Sequence, residues 1–372
     1  MAMAEARLDE IRIVGYRCFG DFRARPGPFE VIVGANGSGK TSLFEFLRFL
    51  RDSLEGPIPA EIVPGSVGRD IFHRPGPDQL VWDLTLSSRE SDRVQYRGGV
   101  DGPLGRVVIS QELLLAGPDR RVVFSRSADS PHTQRVAGNY PNRLLLQWYG
   151  DEPAARSVSD FLGGMQFYGS YAFSAQVRRP AVIEQSPKLK EDCSNLSAVL
   201  FYLQSERREA FNAIQQLLGL MIPGFRRLNV LARGGPGEVL AFIDVAGIAL
   251  TLADISDGQL RLLFWATMCH LPEPGTLICI DEPDQGLHPR VLPVVAEMFK
   301  AASEHAQIFL ATHNSFFLRQ FEVADIAVMR LEKGEPAFIK PSDSAVLKAN
   351  LEDFGTDEIE RMHQTEELEK LA

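Results

Sequence analysis

The sequence predicts an α/β protein with a parallel core sheet, an antiparallel β-subdomain and a helical insertion. Three observations predict it. Residues 29–54, FEVIVGANGSGKTSLFEFLRFLRDSL, read as strand, glycine-rich loop and helix. Residues 80–125 hold alternating apolar and polar segments separated by Gly, Asp and Pro turns, the pattern of half-buried antiparallel strands. Residues 276–331 hold short β-branched runs separated by helical periodicity, which argues for parallel strands covered on both faces.

In chain order, residues 8–19 read as a strand ending at Gly20, with 21–25 pairing back before Pro26-Gly27-Pro28. The next strand carries Phe29, Val31, Ile32 and Val33 and ends at Gly34. Its helix repeats apolar residues at Leu43, Phe44, Leu47, Leu50 and Leu54 until Gly56-Pro57 stops it. Residues 56–77 are dense in Pro and Gly and read as a loop. Strands are expected at 80–87, 93–97, 106–115 and 121–125, whereas 129–164 gives a mixed signal and no assignment. A helical stripe starts at Ser194-Asn195-Leu196 and continues through Leu203, then Phe211, Ile214, Leu217 and Leu218. A hairpin is expected for 228–232 with 239–245, across Gly234 to Gly237. Then follow a helix at 256–269, a strand at 277–280, a helix at 289–303 and strands at 308–311 and 326–331. Residues 357–371 read as a short acidic helix or as a solvated end. The organisation expected is an N-terminal lobe (8–128), a mixed to helical insertion (129–225), a C-terminal lobe (226–340) and an acidic tail (341–372).

Composition bounds the function. A chain of 372 residues, 45% apolar and 24% charged, is ordinary for a globular protein. No apolar run reaches the roughly 18 residues that span a bilayer, and the charged N-terminus lacks the apolar stretch of a signal peptide. A cytoplasmic protein without membrane contact of its own is expected. The four cysteines form no CxxC pair and the seven histidines show no metal-ligand spacing, so small core thiols in a reducing compartment are expected. The net charge of −10 argues against a basic coat for nucleic acid. Residues 352–372 hold eight acids against two bases, a net of −6, which leaves −4 for the rest. With basic pairs at Arg120-Arg121, Arg178-Arg179, Arg207-Arg208 and Arg226-Arg227, a phosphate-backbone surface stays open.

Residues 34–41, GANGSGKT, match G-x-x-x-x-G-K-[ST] between a strand and a helix, the context that motif needs. The cradle comprises Gly34, Asn36, Gly37, Ser38, Gly39, Lys40, Thr41 and Ser42. Its glycines let backbone N–H groups wrap a polyphosphate, Lys40 supplies a positive charge, Thr41 offers a hydroxyl to Mg²⁺, and the helix N-terminus adds its dipole. Residues 276–284, TLICIDEPD, are an apolar strand ending in carboxylates. Asp281 suits a Mg²⁺ ligand, and Glu282 suits orienting or deprotonating an attacking water. Residues 308–314, IFLATHN, end in His313, placed to reach a γ-phosphate or that water. Ser256 and Gly258 open the helix SDGQLRLLFWATM, where serine serves as N-cap or the helix end holds an anion.

The order GANGSGKT, ISDGQ, LICIDEP, LHP, ATH resembles the ATP-binding-cassette superfamily, in its RecF/SMC-like and OLD-like branch of AAA-family ATPases. The similarity covers residue 8 to about 331, and the N-terminal GYRCFG resembles the start of that branch. The sequence departs at Ile255 and Asp257 from the signature LSGGQ, and DQGLHP carries His288 where transporters carry aspartate. The resemblance implies an ABC-type ATPase head. Two copies would dimerise head to tail around two ATP molecules, each between the glycine loop of one copy and Ser256 and Gly258 of the other. Lys40 and Thr41 would hold phosphates and Mg²⁺, Asp281 would support the metal, Glu282 would act as base and His313 would sense the γ-phosphate. The family's Q-loop glutamine stays open among Gln79, Gln95 and Gln111. The resemblance also implies work in bacterial DNA repair or anti-phage defence, on DNA or through a separate effector such as a nuclease, since no Toprim-type nuclease follows the head. An ATP-binding transporter subunit and a nucleotide-gated scaffold with negligible turnover are the other readings.

Overall fold

The computed structural model describes residues 6–59, 71–87, 93–102, 107–126, 138–169, 174–271 and 273–343. The expected acidic helix at 357–371 lies outside the described residues. The chain starts with β1 (Arg7–Tyr16) and β2 (Phe19–Ala24), then β3 (Phe29–Val33) and α1 (Lys40–Asp52). The reversal between β1 and β2 comes at Arg17-Cys18, earlier than the expected Gly20, because Arg17 takes the left-handed φ of 47° that a tight turn needs. Strands β4 (Gln79–Ser87), β5 (Arg93–Asp101), β6 (Val108–Ala116) and β7 (Arg121–Ser125) follow. These pair with the N-terminal hairpin into one six-stranded antiparallel sheet, ordered β2-β1-β4-β5-β6-β7. The two strand groups that looked separate in the sequence are therefore one sheet, joined at β1–β4.

The unassigned region contains α2 (Pro153–Gly164), followed by β8 (Gln166–Gly169) and β9 (Ala181–Val182). Helices α3 (Leu196–Glu206) and α4 (Arg208–Met221) carry the expected apolar stripe. The hairpin β10 (Phe225–Ala232) and β11 (Glu238–Val245) pairs Leu228 with Ile243, and β12 (Ile248–Thr251) adds a strand not expected from the sequence. The last third holds α5 (Asp257–Cys269), β13 (Leu277–Asp281), α6 (Leu292–Ala302), β14 (Gln307–Ala311), the short α7 (Ser315–Leu318), β15 (Ile326–Glu332) and β16 (Glu335–Ile339).

The core sheet has the order β16-β15-β3-β14-β13-β8. All its pairings are parallel except β15 with β16. Successive side chains of a strand point to opposite faces, and this splits the interior into two. Val31, Val33, Ile278, Ile280, Ile308 and Leu310 face one core, filled by α3 to α6 with Phe264, Trp265 and Phe299. Ile32, Cys279, Phe309 and Ala311 face the other, filled by α1 and the inner side of the antiparallel sheet with Phe46, Phe49 and Trp82. Helix α1 is thus held between two sheets, which fixes the direction of its N-terminus. Gln307 staples the layers. Its amide oxygen accepts from Leu8 N–H at 2.9 Å, and its amide nitrogen donates to the carbonyls of Leu8 and Gly27 at 2.9 and 2.8 Å.

Candidate functional site

Parallel register aligns the carboxyl ends of three adjacent strands. Asp281 pairs with Ala311, and Ala311 pairs with Ile32. The loops that follow carry the glycine stretch, Glu282 and His313 side by side. They border a cleft of about 580 Å³ whose lining includes Asn36, Gly37, Gly39, Lys40, Thr41, Ser42, Asp281, Glu282 and His313. This is the crevice beyond the carboxyl ends of strands where open α/β sheets bind ligands.

The glycines are required by space. A Cβ on Gly34 would stand 2.0 Å from the Met329 carbonyl oxygen, and one on Gly39 would stand 2.9 Å from Phe19 Cε1. Both also have positive φ, 152° and 104°. Buried Lys40 folds its ammonium over the loop and donates to the carbonyls of Gly34 (2.5 Å) and Ala35 (3.1 Å). Ser38 N–H donates to the Ala35 carbonyl at 3.2 Å. Ser42 hydrogen-bonds the Cys18 thiol, whose pKa burial raises.

Residues absent from the sequence-derived set also border this cleft: Arg17, Cys18, Phe72 and Arg74. Arg17 pairs with Glu45 of α1, and its carbonyl lies 2.7 Å from His73 Nδ1. One wall therefore carries two guanidinium groups, backed by the core ring of Phe72. Their spacing in sequence hides this, because residues 17 and 72 meet only through the Tyr16–Phe72 bridge and the Arg17 N–H bond to the Ile71 carbonyl.

On the opposite side, Glu282 sits in the left-handed region at φ 52° and donates its N–H to the Ala311 carbonyl at 2.8 Å. Such a conformation costs free energy and marks a residue whose direction is imposed by its surroundings. Its carboxylate lies 3.6 Å from His313 Nε2. Burial first, then Asp284 and Asp281, push its pKa up to about 7. Burial also raises Asp281, with Lys40 opposing it. The loop is anchored by Asp284, which accepts from Thr312 Oγ1 at 2.7 Å and from Asn314 Nδ2 at 2.9 Å. Trp265 of α5 donates its indole N–H to the Pro283 carbonyl at 3.0 Å. Asp284 and Trp265 were not singled out in the sequence, since their partners come from distant strands.

Ser256 and Gly258 are not among the residues that border the cleft. Ser256 caps α5: its Oγ accepts from Gln259 N–H at 3.2 Å, while Gln259 Oε1 accepts from Ser256 N–H at 3.1 Å. Both Ser256 and Asp257 are exposed. Arg178 clamps this turn through the Leu252 and Ile255 carbonyls and the Asp257 carboxylate. His288 caps a short 3₁₀ turn by accepting from Arg290 N–H. Gln79, Gln95 and Gln111 all lie in the antiparallel sheet, away from the cleft; Gln79 bonds Asp101 and Gln95 bonds Asp83. Strand β8 instead brings Gly169 beside Asp281.

Among the described residues no group of three or more His, Cys, Asp or Glu forms a metal site. Thr41 and Asp281 are two oxygen donors facing one cleft. That fits Mg²⁺, which takes one or two protein ligands and completes its shell with phosphates and water. The buried cysteines, Cys193, Cys269 and Cys279, are free thiols, as is half-buried Cys18. No helix among the described residues is long and apolar enough to cross a membrane.

The sequence matches the family described as “AAA domain, putative AbiEii toxin, Type IV TA system” over residues 29–117 and 177–319, more than half of the chain. The chain belongs to this AAA-domain family. The matched stretches include the glycine loop, the Ser256 turn, Glu282 and His313. Strand β7, helix α2 and strand β8 fall in the unmatched interval between them. The fold of this AAA-domain protein is similar to an SMC head bound to the C-terminal winged-helix domain of ScpA, with 17% identity and TM-score 0.53 over 89% of this chain and 97% of that one. It is similar as well to an SMC head with an extended coiled coil, derived from Pyrococcus furiosus and bound to the C-terminal domain of ScpA. That match has 14% identity and TM-score 0.53 over 93% of this chain and 100% of the other. The fold is accordingly that of these SMC heads. No curated protein matches the sequence.

Proposed function

We propose that this protein is a Mg²⁺-dependent ATPase that switches by dimerising head to tail around two ATP molecules. The observation that carries the reading is a division. Lys40, Thr41, Asp281, Glu282 and His313 share one cleft, while the capped α5 N-terminus, with Ser256 exposed and Gly258 half-buried, stands elsewhere. Each copy thus offers a phosphate cradle and, separately, an anion-binding helix end that a second copy's cradle can use.

On this reading the loop N–H groups and Lys40 bind the β- and γ-phosphates, Lys40 exchanging the Gly34 and Ala35 carbonyls for phosphate oxygens. Thr41 and Asp281 would hold Mg²⁺, whose charge offsets that of the polyphosphate. Glu282 takes a proton from the attacking water as its oxygen bonds to the γ-phosphorus. The bond from that phosphorus to the β,γ-bridging oxygen breaks, and ADP leaves with the electron pair. His313 donates to a γ-phosphate oxygen and stands beside the base. Arg17 and Arg74 border the same cleft and suit the remaining phosphate charge.

The work powered by this switch is proposed from the family and the resemblance: action on DNA, or control of a separate DNA-processing effector, in bacterial defence or repair. The family description names a putative toxin of a type IV toxin–antitoxin system, a two-component setting that supports work with a partner protein. Phosphate release from ATP tests the core of the proposal. Wild type should hydrolyse ATP with Mg²⁺, Lys40→Ala should bind it about 10-fold to 150-fold more weakly and not hydrolyse it, and Ser256→Arg should bind ATP without turnover. Turnover by Ser256→Arg equal to wild type would remove the shared site.

A further inference from the structure

The outer face of the antiparallel sheet takes no part in the ATPase reading. Cross-strand register lines up Arg23, Arg12, Asp83 and Arg97 over β2, β1, β4 and β5. With the turn between β6 and β7 beside it, this face forms a groove of about 570 Å³, bordered by five arginines, two carboxylates and no lysine. A solvated sheet face is ordinarily polar and mixed in charge. This one is biased in sign, on a chain whose net charge is −10. The bias remains after the internal pairs are counted. Arg12 uses its fork on Asp21 at 2.8 and 2.7 Å, Arg23 approaches the same carboxylate at 3.7 Å, and Arg97 meets Asp83 at 2.6 Å, which leaves Arg93 and Arg120. Arg120 donates only to the neutral amide oxygen of Gln95. Arginine rather than lysine suits bidentate pairing with carboxylates.

The chain itself carries a matching segment. Residues 352–369 hold eight carboxylates against one arginine. The described chain ends at Asp343, three residues after Lys340, which a short series of contacts links to the groove. Lys340 Nζ and Gly27 N–H both bond Glu30 Oε2, at 2.8 and 2.7 Å. Arg25, two residues earlier, pairs at 3.6 Å with Glu10, which borders the groove. Eight residues lie between Asp343 and Glu352, so nine chain steps give a reach of up to about 30 Å. Crossing five strands takes only about 20 Å, so the segment reaches without full extension.

We propose that the acidic segment 352–369 docks in the arginine groove of its own chain and keeps that groove from other polyanions. A short tether holds such a partner at an effective concentration of order millimolar, so individually weak pairs suffice. The contact is electrostatic and is weakened by salt, because the Debye length falls to about 4–5 Å near 0.5 M.

The test uses the full chain with Glu360 replaced by the photocrosslinker benzoylphenylalanine. After irradiation, mass spectrometry should map cross-links within one chain to residues 10–23, 83–97 or 117–120. Their yield should fall at least about five-fold in Arg93→Ser/Arg97→Ser, and equally near 0.5 M salt. Unchanged melting and ATP binding verify that the double variant is folded. Cross-links elsewhere, insensitivity to the double variant, or a product linking two chains would overturn the proposal. So would a labelled single-stranded DNA oligonucleotide that binds through Arg93 and Arg97 while the tail gives no cross-link there.

Discussion

The raised pKa of Glu282 makes a quantitative prediction about turnover. Burial, Asp284 and Asp281 together push this carboxyl to about 7, and only its ionised form can accept a proton from water. At that pKa the ionised fraction is about one-tenth at pH 6, one-half at pH 7 and nine-tenths at pH 8. kcat/KM for ATP, which reports the ionisation of the free enzyme, should therefore rise about five-fold from pH 6 to pH 7 and less than two-fold from pH 7 to pH 8. An ordinary glutamate near pKa 4.3 would give a flat profile over this range. Asp284→Asn removes the second-largest cause of the shift, while its amide oxygen can still accept from Thr312. The acid limb should then move to lower pH and flatten between pH 6 and 7. Phosphate release measured at constant ionic strength reads both profiles. A wild-type kcat/KM independent of pH from 6 to 8, or substantial turnover in Glu282→Gln, would refute Glu282 as the base.

Other consequences concern binding and stability. Lys40→Ala removes a charge-assisted contact worth about 1.5–3 kcal/mol, so ATP affinity measured by calorimetry should fall by about 10-fold to 150-fold. Glu112 is buried, accepts from Tyr96 Oη and the Leu145 and Leu146 N–H groups, and pairs with Arg126 at 3.5 Å. Glu112→Ala leaves that guanidinium unpaired at a cost of about 3–5 kcal/mol, visible as a lower denaturation midpoint, whereas a change under 1 kcal/mol would contradict the network's role. Burial raises the carboxyl pKa of Glu30 to about 6 and of Glu282 to about 7. The folded state then binds more protons than the unfolded state between about pH 4.5 and 7, so urea stability should increase as pH falls from 7.5 to 5; a decrease would show the opposite linkage.

Much of the fold was legible because its key segments are locally complete. FEVIV, LICID and QIFLA are apolar runs whose length and β-branching say strand, and each ends where chemistry begins. The glycine loop and the Ser256 capping box are also local patterns. What was hidden depends on partners far along the chain. Strand β8 is four residues, QFYG, and exists only because β13 offers an edge. The joining of β1 to β4 required a register some 70 residues apart, and the Tyr16–Phe72 bridge beside it brought Arg17, Phe72 and Arg74 together at the cleft. Asp284 looked like one more acid after a strand, until Thr312 and Asn314 gave it a role in holding the loop. Arg178 was noted only as one of a basic pair, yet it clamps the Ser256 turn across more than 70 residues.

The measurement that bears most directly on the central claim is the mass of Glu282→Gln in solution. The 41.3 kDa chain keeps its phosphate cradle in this variant but loses water activation, so ATP should stay bound. Light scattering should report about twice the monomer mass with ATP and Mg²⁺, and the monomer mass with ADP or when Ser256→Arg is added. A particle that remains at 41.3 kDa in saturating ATP and Mg²⁺ would contradict a switch built from two shared sites.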